Sequence, residues 1–334
     1  MDVFSVVLGL TLIAVTTVDV VWTTVAASSG AGPISTRVTT ALWRAALVWH
    51  RRRGAHRFLV TAGVMVVMST LAVWVVLLLA GWALVFGVGE GAVRVAETGA
   101  PADLVDRFYF TGFTVFTLGV GDMVPGQGWW QLATVAATGT GLALVTTSIT
   151  FLVPVVSAAA QRRHLASTIA GLGGSSHDIV RDGWNGRDFS GLLDHLTSLP
   201  PPIQMSRQQH LAYPVLHYLH SVDQEHSAPV ALANLSGALH LLRHGVAPEH
   251  RPDDAALRPL ERAIDGFLDT VRRGVIDPRP AVPVPELAPL TDAGIPTVDP
   301  VEYESWEAGT RVRREGLAGL LAEDGWVLDS SAEA

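Results

Sequence analysis

The sequence predicts an all-α membrane protein, with three membrane-crossing helices followed by a soluble helical half. Charge placement carries the first part of that reading. Only 16% of the 334 residues are charged, and none lies between Phe58 and Gly89 or between Met123 and Gln161. About 20 apolar residues cross a bilayer as helix, so each block holds a tilted span. A third apolar stretch, Val3 to Ala27, is interrupted only by Asp19. Beyond Arg163, apolar residues recur at helical spacing among charged ones, with no alternating strand pattern.

The first span is read as retained. "VAASSG" at its end resembles a signal cleavage site, but a secretory signal begins with basic residues and the only early charge is Asp2. Asp19 is expensive in lipid and therefore a functional candidate; the alternative is a position near an interface, with Thr16, Thr17 or Thr23 as partner. Next, "STRVTTALWRAALVWHRRR" sets Arg37, Arg44 and Arg51 seven apart on one helical face, with Trp43 and Trp49 at headgroup level. This reads as an amphipathic helix on the inner leaflet, in contact with anionic lipid. A voltage sensor repeats arginine at every third position inside a span, and that pattern is missing.

Arginine bias sets the orientation. Arg37, Arg44, Arg51, Arg52, Arg53 and Arg57 separate the first two spans, and Arg162 and Arg163 follow the last. Both segments are expected on the cytoplasmic side, with the N-terminus and the loop from Glu90 to Arg107 outside. The second half of the chain is then cytoplasmic.

Between the second and third spans lies "RFYFTGFTVF" (107–116), an aromatic segment too short to cross, and then "TLGVGD" (117–122). Non-helical backbone at membrane depth survives only where it is buried in protein or lines a water-filled path. Carbonyls of Thr117, Leu118, Gly119 and Val120 can replace a cation's water shell if alternate residues adopt conformations that glycine tolerates. Gly119 and Gly121 fall at those alternate positions.

The segment resembles the potassium-channel pore family, in its bacterial two-span form with an extra N-terminal span. The likeness runs from about Arg107 to Pro154 and rests on the pore helix, the T-x-G-x-G-D filter and Pro125. It implies an outer helix, pore helix, filter and inner helix in that order. Potassium ions would be held by Thr117, Leu118, Gly119, Val120 and Gly121, with no organic cofactor. It also implies a homotetramer, because one chain supplies one filter strand.

Two residues depart from the family pattern. Val120 replaces the usual tyrosine or phenylalanine, which puts potassium selectivity in question. Phe113 stands where some bacterial relatives carry a glutamate that partners the filter aspartate. Tyr109, at the usual tryptophan position of the pore helix, can instead hydrogen-bond Asp122; simple interfacial packing is its other reading. On the inner helix, the resemblance implies a hinge at Gly141, near Gly139, with close helix packing as the alternative. Pro154 lacks an N–H and is expected to kink the helix near its cytoplasmic end. Thr146, Thr147, Ser148 and Thr150 either line a cavity below the filter or bond back to their own helix.

Four helices are read in the soluble half. Phe189 to Ser198 stops at Pro200-Pro201-Pro202, and a second covers Ser206 to Ser221. A third runs from Ala228 to His244 and ends at Gly245. The fourth, ending at Gly274, places Leu257, Leu260, Ile264, Phe267 and Val271 on one stripe. Seven prolines from Pro278 to Pro300 make an extended linker, and a last helix spans Glu302 to Ala322. The expected organisation is 1–57 N-terminal span and interfacial helix, 58–160 pore, 161–276 cytoplasmic helical domain, and 277–334 linker with C-terminal helix.

Weaker signals complete the inventory. "GLGGSS" at 171–176 lacks the last glycine and the strand of a nucleotide loop and reads as a flexible linker. His240 and His244 share a helical face in a spacing that can chelate zinc, without an evident third ligand. The histidines of this half also offer proton sensing. Absence of cysteine excludes disulfides and thiolate metal sites. No catalytic constellation and no basic stripe for nucleic acid emerge. The sequence thus reads as a potassium channel, not an enzyme, whose gating ligand is not legible. The alternatives are a nonselective cation channel or a non-conducting membrane-anchored sensor on a pore-like fold.

Overall fold

A computed structural model describes residues 3–25, 31–53, 56–221, 223–272 and 279–326. Part of "VAASSG", together with Gly274 and Pro278, lies outside them, as do the side chains of Arg51, Arg52, Arg53 and Arg57. The chain divides into two compact units, Met1–Ala45 with Ala62–Val156 and Ala46–Thr61 with Ser157–Ala334. It is an all-α membrane protein with an additional N-terminal membrane helix and a further helical region. Among the described residues three helices are long and apolar enough to cross a membrane: α1 (Val3–Val25), the Val60–Gly87 part of α3 (His56–Gly87), and α5 (Trp129–Ala170).

The first unit is pinned by a buried carboxylate. Asp19 on α1 is 0% exposed. It accepts hydrogen bonds from the backbone N–H of Ile34 (2.7 Å) and Ser35 (3.2 Å), the Ser35 hydroxyl (2.5 Å) and the Trp74 indole of α3 (2.9 Å). Ile34 and Ser35 open α2 (Pro33–Arg53). The first N–H groups of a helix have no intrahelical partner, and here a carboxylate from another helix supplies it. The negative charge also faces the positive end of the α2 macrodipole. Gly32 leaves the necessary room, since a Cβ there would overlap the carboxylate. Of the threonines expected beside Asp19, Thr23 instead accepts from the Gly32 N–H (2.9 Å), and Thr17 bonds back to Ile13. Trp43, expected at headgroup level, is buried, while Trp49 remains exposed.

Close packing joins the spans. Gly9 of α1 meets Gly81 of α3, and a Cβ on either would press on the other helix's backbone. The Trp82 indole of α3 donates to the Thr140 hydroxyl of α5 (3.0 Å). Between them lies α4 (Leu104–Val115), whose N-cap Asp103 accepts from the Asp106 N–H (2.8 Å). Two strands flank it: β1 (Val93–Val95) pairs antiparallel with β2 (Met123–Pro125). Three residues each are too few for a strand period to register in the sequence.

The second unit packs around α9 (Ala228–His240), a helix buried on nearly every face and so central by composition. α6 (Ser176–Gly183) and α10 (Asp254–Arg272) pack against it, and α7 (Ser190–Ser198) and α8 (Pro200–Ala212) pack on α10. The chain continues as α11 (Ala288–Asp292), α12 (Pro300–Ser305) and α13 (Glu307–Glu323). On α10, Leu257, Leu260, Ile264, Phe267 and Val271 are all buried, each worth about 1.5–3 kcal/mol.

Four expectations for this half change. The helix expected over Ser206 to Ser221 ends at Ala212, ahead of Pro214, which opens a short 3-10 turn to Tyr218. Pro200-Pro201-Pro202 starts α8 instead of only ending α7, because the first turn of a helix needs no N–H donors. The segment 279–298 is not a tether: it runs without regular structure to Glu286, turns through α11, and sends Leu290, Ile295 and Val298 into the core, with Val282, Val284 and Leu287 packed against it. The last helix is broken at Trp306 into α12 and α13.

Asp19→Ala is expected to destabilise the detergent-solubilised protein by about 3 kcal/mol, since several hydrogen bonds to one charge vanish together. Trp74→Phe removes a single donor and should lower the thermal midpoint less. Equal midpoints for Asp19→Ala and the wild type would refute the anchoring role.

Candidate functional site

Residues 117–122 form the one stretch of the first unit where left-handed backbone alternates. Thr117 (φ 61°), Gly119 (φ 58°) and Gly121 (φ 91°) lie in the left-handed region, separated by Leu118 and Val120, which do not. Such alternation turns successive peptide planes so that carbonyls line a common side. Glycine accepts this freely, whereas Thr117 is the only non-glycine with positive φ among the described residues. Strain of that kind, about 1–3 kcal/mol, persists only where the surroundings enforce it.

Surrounding hydrogen bonds do enforce it. At the end of α4, the N–H groups of Phe116, Thr117 and Leu118 donate to the carbonyls of Gly112 (3.0 Å), Thr114 (3.1 Å) and Phe113 (2.8 Å). Beyond the stretch, the Ala96 N–H donates to the Asp122 carbonyl (2.9 Å), and the Asp122 carboxylate accepts from the Met123 N–H (2.9 Å). The negative end of the α4 macrodipole faces the start of the stretch with no basic residue in its last turn. Every residue from Phe116 to Asp122 is exposed in the single chain.

Aromatic rings pack along α4 and tie it to α3. Phe110 meets Phe86 edge-on (5.2 Å between centroids) and Phe113 likewise (5.2 Å), and Tyr109 meets Phe113 (5.1 Å). Phe86 and Phe110 are fully buried. The Tyr109 hydroxyl lies near the Asp122 carboxylate. Arg107 clamps the start of α4 by donating to the carbonyls of Ala102 (3.0 Å) and Gly87 (2.9 Å), the latter at the end of α3.

On α5 the two glycines differ. A Cβ on Gly141 would overlap the Val115 carbonyl at the end of α4, whereas Gly139 has open space beside it. Close approach therefore accounts for Gly141. Pro154 lies inside the unbroken helix. Thr146 and Thr150 are exposed, Thr147 and Ser148 half-buried, and the Thr150 hydroxyl bonds back to the Thr146 carbonyl (2.9 Å).

In the second unit His240 and His244 lie 5.0 Å apart, and His244 stacks on Trp306 (4.4 Å). Among the described residues no group of three His, Asp or Glu can hold a metal. Burial holds these imidazoles neutral: His210 and His240 are pushed down to about 3, and His244 to about 4. The His244 ring and the Arg314 and Arg313 cations beside His240 add to the effect. Proton sensing near neutral pH therefore does not fall to these three. "GLGGSS" forms a capped turn: Ser175 accepts from the Asp178 N–H (3.1 Å), and Asn234 donates to the Gly174 carbonyl (2.8 Å).

One cluster escaped the sequence altogether. Arg162, near the end of α5, donates to the Leu216 carbonyl (2.8 Å) and faces Asp324 (3.7 Å), which also pairs with His220 and accepts from the Ser227 hydroxyl (2.9 Å). Burial alone would raise the Asp324 carboxyl, but His220, Arg162 and Ser227 together hold it at about 2. These partners are up to 162 residues apart in the chain, so no local pattern announces them.

A family model described as "Ion channel" matches residues 64–158. Over 315 residues the chain is 32% identical to the uncharacterised membrane protein YdjJ of Bacillus subtilis (strain 168), covering 94% of this chain and 92% of that one. That likeness spans both units, not the pore segment alone. No solved structure matches.

Gly141→Ala should cost about 1–3 kcal/mol of stability through overpacking, while Gly139→Ala should be neutral or stabilising. Thermal midpoints of the two variants, if indistinguishable, would contradict the close approach. A second expectation concerns acid. Unfolded histidine takes its proton near pH 6.5, and folded His210, His240 and His244 refuse it until about 3 or 4. Below about pH 6.5 the unfolded chain binds the extra protons, so stability must fall as pH drops toward about 4. Midpoints that rise on acidification would reverse the assigned sign, and His210→Phe should flatten the slope.

Proposed function

Because the chain belongs to the ion-channel family, we propose that it is a homotetrameric potassium-selective channel that conducts passively through a backbone-carbonyl filter. The observation that carries this reading is the alternation of left-handed backbone at Thr117, Gly119 and Gly121. In it, the carbonyls of Thr117, Leu118, Gly119, Val120 and Gly121 replace the hydration shell of potassium, the only bound cofactor. One chain offers one such row with its residues exposed, so four rows are needed to surround an ion. Asp122 and Tyr109 brace the outer end of the row.

The N-terminus lies outside and the second unit in the cytoplasm, by the arginine bias of the connecting segments. Arg37 and Arg44, both exposed on α2, meet anionic lipid at the inner leaflet. Gating is bending of α5, with Pro154 as pivot and Gly141 as the point where the bend reaches the end of α4. The same helix continues into the second unit, where Arg162 is bound to Leu216 and Asp324, so rearrangement there pulls on it. Thr146, Thr147 and Thr150 line the aqueous path below the filter. Val120 favours a second reading, a nonselective cation channel, because it removes the aromatic that usually stiffens such a filter.

Purified protein in liposomes should pass potassium in a flux blocked by barium, an ion of similar size that fits the same carbonyl cages. Gly119→Asp should abolish the flux by setting a side chain and charge in the path. Undiminished flux in that variant would remove the filter from residues 117–121.

A further inference from the structure

The second unit contains a cavity of about 280 Å³ that plays no part in conduction. Its walls come from the start of α6, α9, α13 and the 282–289 segment. One side is apolar, made by Val282, Pro283, Pro285, Pro289 and Leu317; the other carries Asn234, Ser236, His240, Arg313 and Arg314. Proline has no N–H and cannot join a ladder, which keeps the 282–286 part of this wall free of regular structure ahead of α11.

Arg314 holds that wall in place. Its guanidinium donates to the Val282 carbonyl (2.7 Å), the Glu307 carbonyl (3.1 Å) and the Glu307 carboxylate (3.2 Å). Arg313 is turned away to Asp265 in a two-pronged pair (2.6 and 2.8 Å) and is largely neutralised. Glu307 is 62% exposed, so water screens its charge and Arg314 keeps most of its field at the cavity. Glu286 is the one carboxylate on the lining, and it is exposed.

Unspent hydrogen-bonding groups gather on the same wall. The Arg314 Nε–H and both ring nitrogens of His240 are shut from solvent without hydrogen-bond partners. Such groups are costly in a folded protein and call for a reason. His240 also closes α9 where the helix widens into a π-turn, Leu241–Gly245. Isolated π-turns occur mostly at functional positions.

We propose that this cavity binds a small organic anion, an oxyanion head on a compact apolar body. The head lies against Arg314 and the ring of His240 after a small shift of either side chain, and the body lies on the Val-Pro wall. Carboxylates and phosphates share this chemistry. Binding is read without any ion flux, so its failure is distinct from failure of the conduction reading.

The test is equilibrium dialysis of radiolabelled benzoate against the full chain in detergent. Saturable binding of one benzoate per chain is expected, displaced by phenyl phosphate and not by neutral benzamide. Thr310 sits half-buried at the rim, where substitutions need not disturb folding. Thr310→Glu should weaken binding by about tenfold and Thr310→Lys should not weaken it. His240→Phe keeps a ring, removes both nitrogens and should weaken binding by about tenfold as well. No saturable benzoate binding, equal displacement by benzamide, or equal affinities for the two Thr310 variants would overturn the proposal.

Discussion

A bilayer offers no hydrogen-bond partner to a peptide group, and this constraint organises the first unit. Helices satisfy it internally in α1, α3 and α5. Residues 116–122 cannot, and they are stable only because α4 supplies carbonyl acceptors on one side and the β1–β2 ladder borders them on the other. The aromatic contacts of Phe86, Phe110, Phe113 and Tyr109 fix α4 in turn. Asp19 meets the same constraint at the other end of the unit, where α2 begins with N–H groups that need an acceptor.

The legible part of the molecule was the part whose physics is local. A charge-free block of some thirty residues is a span in almost any context, and two glycines at alternate positions predict alternating backbone without any knowledge of neighbours. Amphipathic α10 is similar, since its stripe is written at helical spacing. Gly141 was legible only as a choice between hinge and close packing, and the nearness of Val115 is a tertiary fact that favours packing.

The rest depends on partners distant in sequence. Asp19 finds its partners in Ile34, Ser35 and Trp74, which lie 15, 16 and 55 residues away. The prolines of this segment suggest an extended linker, but Pro289 and Pro300 open short helices and the interleaved Leu290, Ile295 and Val298 are buried in the core. Histidine counts mislead for the same reason, because burial, not abundance, decides whether an imidazole titrates near neutrality. His210 and His240 are structural in that sense. Arg162, read only as part of the arginine bias, is buried against Asp324.

The central claim is that backbone carbonyls of residues 117–121 select the ion even with valine at 120. The bi-ionic reversal potential of the reconstituted protein, potassium on one side and sodium on the other, tests it most directly. A potential displaced strongly toward the potassium equilibrium value is the predicted result. A reversal potential near zero, meaning equal permeability, would contradict it.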